Sequence, residues 1–394
     1  MPMPAAPLWR SRTTRSLLLQ GGFALALLAA IVAATLTARA NLSAQGMTSG
    51  FDFLWTSTGW EMNFTLLPAA PTDPYWWFLL LGLLNTLLMG LIGLGGASVI
   101  GLIVGLMRSG RNPAARFLAT LYIELFRNLP LILQLFFWYA LANALPNPRA
   151  ALDLGPALLS SRGIYLPGLA VPYGAAIVIA AILLLGLALA IRVLAARRFA
   201  RMEPVPRRVL ALSLVLLAIL ASAAIALATH PPGTGWLSLP QPRGLRIDGG
   251  IRVQPEFACL AIAIMTYGGA YVGEIVRGGF KAVGRGQLEA ARALGLSPWQ
   301  VFSRVRLPLA FRAMLPILIN QYVWLIKATT LGIAVGFSDF FMVIASSITH
   351  SGQTLELIGI LMGGFLVVNF SLAAVLNRLN RAIALKGHNT GGAA

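Results

Sequence analysis

Cysteine occurs once in this chain of 394 residues, histidine three times, and aspartate and glutamate together twelve times. The single cysteine, Cys259, excludes an intramolecular disulfide, and no second thiol is present to share a metal. His230, His350 and His388 lie far apart, so no metal-ligand spacing is present. No GxxxxGK[ST] phosphate loop occurs, which excludes ATP hydrolysis at a Walker site in this chain. Lysine is scarce: among 30 basic residues only Lys281, Lys327 and Lys386 are lysines. Charged residues make up 11% of the chain against 58% hydrophobic, where a soluble domain carries about 25% charged. A formal net charge of +18 would suggest a nucleic-acid partner for a soluble protein. Here the arginines sit in short clusters between apolar runs, so they report membrane topology and no nucleic acid is implied.

Those apolar runs define an all-α polytopic membrane protein with about eight transmembrane helices, near residues 17–36, 76–107, 117–142, 171–194, 209–229, 255–280, 309–326 and 355–376. Twenty residues at ~1.5 Å each cross ~30 Å of hydrocarbon. The first run follows Arg10, Arg12 and Arg15 and precedes Ala38-Arg39-Ala40, a small-x-small pattern that a cleaved signal peptide would also show. Its length exceeds a signal core of ~7–15 residues, which favours a retained anchor. With both termini cytoplasmic, the inner segments hold 22 of the 30 Lys and Arg and the outer segments 6, with Arg127 and Lys327 inside spans. The positive-inside rule is thereby satisfied.

Several spans carry features beyond apolarity. Gly93, Ala97, Gly101 and Gly105 recur every four residues, a small-residue face suited to close helix packing. Tyr75, Trp76 and Trp77 form an aromatic belt at a membrane boundary. In the third span, Glu124 and Arg127 are spaced to pair on one helix face, and Pro130 should kink or break the helix. Glu124, Arg127, Gln134, Glu274 and Lys327 are the polar groups within or beside spans that could line a translocation path, since such groups face a cavity or a partner. A structural ion pair supporting the kink for Glu124 and Arg127, and snorkelling or pairing with a backbone carbonyl for Lys327, are the alternatives.

The segment from Gln287 to Pro308 is polar and basic, and lies between two spans. Leu288, Ala291 and Leu294 give it a short helix that Gly295 can close in the left-handed conformation. Ser297, Pro298 and Gln300 then form a capping-box start to a second helix, expected to end near Arg306, before Pro308. The result is a helix-Gly-helix elbow. Its arginines alone would fit an interfacial helix on anionic lipid.

The order Glu289-Ala290-Ala291, three residues, Gly295, nine residues, Val305-Arg306-Leu307-Pro308 resembles the EAA loop of ABC importer permeases. Gly82-Leu83-Leu84-Asn85-Thr86-Leu87 and the run Glu124 to Gln134 resemble the opening and E-x-F-R-x-x-P-x-x-x-Q motifs of the polar amino-acid permeases among them. Lys327 stands in a similar K-x-[ST]-[ST]-L segment, with Ala328 where that family carries Asp, Asn or a similar residue. The resemblance covers about residues 76–142 and 255–380. It implies a five-helix type I permease core, to which this chain adds an N-terminal span and a two-span insertion.

On this reading residues 1–75 hold the N-terminal tail, first span and outer loop. Residues 76–142 and 255–380 form the two parts of the core, the second carrying the coupling loop 281–308. Residues 143–254 are the insertion, and 381–394 a cytoplasmic tail. Glu289, Ala290, Ala291, Gly295 and Pro308 would couple the chain to an ATPase. The chain would bind no cofactor, with ATP and Mg held by partner ATPase subunits. The implied partners are a second permease subunit, as a heterodimer, two ABC ATPase subunits, a periplasmic amino-acid-binding protein and membrane lipid, in a bacterial inner membrane. The expected cargo is polar or broad-range L-amino acids, with a related small polar solute such as an opine as the alternative. An ion-coupled secondary carrier would show inverted repeats or paired broken helices, and a membrane-anchored scaffold would show a sizeable soluble domain. Neither is visible.

Overall fold

A computed structural model describes residues 12–44, 50–195, 204–233, 235–244 and 246–383. The basic-loop residues Arg197, Arg198 and Arg201, and the tail with Lys386 and His388, lie outside them. Twelve α-helical segments run in chain order. They are α1 (Arg12–Ala44), α2 (Tyr75–Ser109), α3 (Pro113–Asn128), α4 (Leu131–Asn143), α5 (Tyr173–Ala195), α6 (Pro204–Thr229), α7 (Pro255–Ala282), α8 (Arg285–Ala293), α9 (Pro298–Gln300), α10 (Leu307–Lys327), α11 (Phe340–Ser351) and α12 (Thr354–Ile383). Among the described residues, seven helical stretches are long and apolar enough to cross a membrane, and α3 with α4, bent by 101° at Pro130, makes an eighth if counted as one broken span. Exposed leucines and phenylalanines cover α1, α5, α6 and α12, as expected of helices that face lipid or a partner.

The core is built on α2 and α7. The small residues of α2 form its contact face: a methyl added at Gly93 would meet Ile264, at Gly101 Val272, and at Gly105 Val276. The two backbones approach closely because glycine presents no Cβ there. Leu131 and Leu135 of α4, Leu325 of α10 and Phe337 complete the main apolar cluster. A second cluster ties Phe78 and Leu79 of α2 to Phe340, Val343 and Ile344 of α11 and Leu357 of α12, with Phe53, Leu54 and Trp60 packed against it. Phe53, Trp60 and Phe64 of the aromatic-bearing polar outer loop are therefore packed onto helix ends, whereas Phe51 and Trp55 are exposed.

Residues 334–353 are also more ordered than the expected short loop. After a 3-10 stretch (Ala328–Val335), Asp339 caps α11 by accepting the Met342 N–H at 2.9 Å. The motif at Gly82–Leu87 holds this segment. Gly82 admits the backbone of Phe340, and the Thr86 hydroxyl accepts the Phe340 N–H at 2.9 Å. Asn85 donates to the carbonyls of Phe64 and Ser338 and accepts from the Leu66 N–H.

The described residues of 143–170 and 230–254, whose Pro and Gly content suggests loops, carry small antiparallel sheets. The strands β1 (Leu152–Asp153), β2 (Leu158–Ser160), β3 (Gly163–Leu166) and β8 (Ile251–Val253) lie in the order β1-β2-β3-β8. Between them, β4 (Gly168–Leu169) pairs with β5 (Leu237–Ser238), and β6 (Gln241–Arg243) with β7 (Arg246–Asp248). Strands of two to four residues are too short to show a period of two. This platform caps the end of the bundle from which α7 starts. The segments α8 and α9 lie at the end where α7 finishes and α10 begins.

Candidate functional site

The elbow is fixed at both of its turns. At the end of α8, Gly295 has φ of 75°, and two hydrogen bonds close the helix: Leu296 N–H to Ala291 C=O at 3.3 Å and Gly295 N–H to Arg292 C=O at 2.9 Å. This is the 6→1 and 5→2 pattern of a Schellman cap. An added Cβ at Gly295 would touch nothing within 4 Å, so only the backbone conformation restricts this position. Ser297 then opens α9. Its hydroxyl accepts the Gln300 N–H, and the Gln300 side chain accepts the Ser297 N–H at 2.9 Å.

The second helix does not end at Arg306, as the sequence suggested. It passes through a π turn, Val301–Arg306, and continues as α10. Proline lacks the N–H that an α-helix needs and crowds the preceding turn. The π turn bonds five residues back, from the Leu307 N–H to the Phe302 carbonyl, and this wider turn accommodates Pro308. The second helix of the elbow, the π turn and α10 thus form one continuous helix.

The elbow residues do not share one face. Glu289, Ala290 and Gly295 are exposed, whereas Ala291 is 4% exposed and Pro308 half-buried. Ala291 and Val301 are both buried between α8 and the π turn. Phe302 stacks on Phe280 at 6.0 Å and on Trp299 at 5.7 Å. Leu294 and Trp299 project outward, 81% and 71% exposed. An exposed rim resting on a packed base is suited to docking on another protein or on a membrane surface.

A second set of groups lies where α2, α3 and α7 meet. Arg108, near the end of α2, donates to Glu274 of α7 at 2.7 Å and to Glu124 of α3 at 3.3 Å. Arg277 also donates to Glu274 through Nε and Nη2. Glu124 and Arg127 do not pair with each other, although their spacing allows it. Glu124 turns to Arg108, and the Arg127 guanidinium lies over the Tyr271 ring at 5.0 Å. Arg108 is the group that sequence reading missed. It was visible only as part of a topology-marking cluster, because its partners come from two other helices.

Gln134 has a structural place. At the 101° bend its amide donates to the carbonyls of Phe126 at 2.8 Å and Leu129 at 3.0 Å. Those carbonyls are left open by the end of α3, so Gln134 clasps the broken span. Lys327 is exposed at the far end of α10, about 30 Å from Leu307 at ~1.5 Å per residue. An aromatic row links the two regions. Tyr271 contacts Tyr267, its ring centroid 4.8 Å away, and Tyr267 stacks on Trp324 at 5.3 Å, one turn before Lys327. No group of three or more potential metal ligands occurs among the described residues.

Residues 205–384 match the family described as "Binding-protein-dependent transport system inner membrane component". Similar curated proteins include the "Putative amino-acid ABC transporter permease protein YhdX" of Escherichia coli strain K12, 36% identical over 88% of this chain and 88% of that protein. The "General L-amino acid transport system permease protein AapQ" of Rhizobium johnstonii is 33% identical over 88% of this chain and 86% of its own. The "Glutamate/glutamine/aspartate/asparagine transport system permease protein BztB" of Rhodobacter capsulatus is 31% identical over 94% of both chains. These likenesses run through both core segments, the insertion and the elbow. The chain therefore belongs to the binding-protein-dependent transport inner-membrane components: it is a multi-pass permease subunit of an ABC importer, which works with a solute-binding protein and with separate subunits that hydrolyse ATP.

Proposed function

We propose that this permease carries polar or broad-range L-amino acids from the periplasm to the cytoplasm of a bacterial cell, and that the elbow at Glu289–Pro308 couples it to a partner ATPase. The substrate assignment rests on its relatives, which are permeases for general L-amino acids and for the acidic amino acids with their amides. The coupling assignment rests on one observation: the elbow is capped rigidly at Gly295 and Ser297 and joins α10 without a break. A rigid lever transmits the movement of a docked subunit to the span that follows it. Glu289, Ala290 and Gly295 offer the docking rim. Ala291 and Pro308 act from within, as the packed base and the lever's joint. The mechanism needs two facing states favoured in turn by the ATPase, since a single binding state cannot pump.

The row from Arg127 through Tyr271, Tyr267 and Trp324 to Lys327 supports a path along α7 and α10. An amino-acid zwitterion presents one carboxylate and one ammonium. Lys327 suits the first, and the face of Trp324 suits the second; Arg127, held over Tyr271, adds positive charge at the other end of the row. Glu274 and Glu124, both engaged by Arg108, set the charge at the inner end. Completing such a path requires a second permease chain opposite α7 and α10, and we assign this place to a related but different subunit. The N-terminus and C-terminus lie on the cytoplasmic side, as the arginine distribution indicates.

Reconstitution tests the assignment. Vesicles carrying this chain, its second permease subunit and the ATPases, with ATP inside and binding protein outside, should accumulate glutamate, glutamine or other L-amino acids. Accumulation of an opine but no amino acid would move the assignment to that solute class. Uptake by this chain alone on an ion gradient would overturn the ATP-driven reading.

A further inference from the structure

Three arginines without a carboxylate partner surround a cavity at the elbow. It measures about 450 Å³ and is lined by Arg111, Arg292 and Arg306 together with Leu288, Val301 and Phe302. That volume suits a small ligand. Arg111 belongs to the turn between α2 and α3, Arg292 to α8, and Arg306 to the last position of the π turn. Among the described residues, no Asp or Glu lies within ion-pair distance of any of the three; the ion pairs of the core engage Arg108 and Arg277 instead. The Nε of Arg306 is buried and has no hydrogen-bond partner, while its guanidinium lies over the Phe280 ring at 5.3 Å. Three arginines from three segments thus line one void, and one of them keeps a buried N–H without a partner. Planar guanidinium groups match phosphate oxygens in geometry as well as charge.

We propose that this cavity binds a phosphate group, the headgroup phosphate of an anionic phospholipid or a free phosphate, and that the bound anion ties the α2–α3 turn to the elbow. The lining favours the lipid. Half of the wall is apolar, which an inorganic phosphate does not use and a glycerol backbone does. Arg306 also directly precedes α10, and the stretch long and apolar enough to cross a membrane begins at Pro298, which itself lines the cavity, so the cavity sits at the end of a span, beside the membrane–water interface that this reading assigns to the elbow. The exposed Trp299 and Leu294 of the same elbow are side chains suited to that interface. The lipid version rests on the reading that the elbow faces the cytoplasmic leaflet.

The test uses the full complex, with phospholipid retention read by native mass spectrometry. Complexes from vesicles of phosphatidylcholine with phosphatidylglycerol should retain phosphatidylglycerol selectively. Arg292→Gln and Arg111→Gln should each weaken retention about five-fold, the effect of one basic residue at an anionic surface. Arg292→Lys, which keeps the charge, should restore most of it. Arg306 packs on Phe280, so its variant can fail to fold, whereas Arg292 lies on exposed α8 and keeps the test decisive. Displacement of the lipid by millimolar inorganic phosphate would identify a free phosphate as the ligand and uphold the site. Retention that ignores all these substitutions would overturn the proposal. So would arginines shielded from chemical modification only when the ATPase is added in lipid-free detergent, which would assign them to acidic side chains of that subunit. The retention assay needs no ATP, so its failure would leave the coupling role of the elbow standing.

Discussion

At the scale of single residues, Asp339 shows how burial and capping oppose each other. It lies between spans, is fully buried and caps α11, and one of its carboxylate oxygens has no partner. Burial pushes its pKa up from 3.8 to about 7, against the backbone N–H groups that favour the charged form. The folded protein therefore holds this proton to a higher pH than the unfolded chain does. Between about 7 and 3.8, stability should rise on acidification and fall as the pH rises. Asp339→Asn keeps an acceptor for the Met342 N–H and removes the charge. Its thermal midpoint should depend less on pH than that of the native complex, with the variant the more stable of the two at pH 8. Identical pH profiles would contradict this account. Lys327 makes the complementary case, an exposed cation that we propose meets substrate. Lys327→Gln should lower uptake about ten-fold, the scale of one lost charged hydrogen bond, and leave assembly intact. Unchanged uptake across several amino acids would remove Lys327 from the path.

At the scale of elements, the break between α3 and α4 and the elbow behave as built parts. Gln134 satisfies two carbonyls at the bend, and Gln134→Met would fill similar volume while leaving both open. The loss should be about 1–3 kcal/mol, measured as a lower thermal midpoint of the purified complex. A midpoint equal to the native one would show that the bend holds without its clasp. Local signals made these elements legible in the sequence. Pro130 marked the break, Gly295 the left-handed cap, and Ser297 with Gln300 the capping box, because each acts on backbone within a few residues. Pro308 misled because its usual effect is to stop a helix, and nothing local announces that a π turn will accommodate it. The β platform was hidden for a different reason. Its pairing of Ile164 with Val253 joins segments separated by two spans, and strands of two to four residues carry no readable period. The engagement of Arg108 by Glu124 and Glu274, from two other helices, was likewise a tertiary fact. For the candidate site, then, the sequence exposed the parts with local geometry and left hidden the partners that packing chooses.

At the scale of the whole molecule, two differently built ends are joined by a bundle with a glycine-lined centre. One end is capped by the β platform and by residues 50–74, which Asn85 and Thr86 tie to the helices. The other carries the elbow, the arginine-lined cavity and, one turn inward, the charges shared by Arg108, Glu124, Glu274 and Arg277. α10 runs as one helix from Leu307 to Lys327, with Pro316 inside it, so under the proposed coupling a displacement of the elbow is carried along a single helix to the far end of the proposed path. The central claim is that this lever converts ATP hydrolysis on a partner into movement of the spans. The most direct measurement is ATPase activity of the reconstituted complex, with and without binding protein and amino acid, for the native chain and Gly295→Asp. Aspartate at φ of 75° costs about 1 kcal/mol of backbone strain and places a charge on the docking rim, which the fold can survive. The account predicts an assembled complex whose hydrolysis no longer responds to binding protein and amino acid. A complex in which Gly295→Asp responds as fully as the native chain would contradict it.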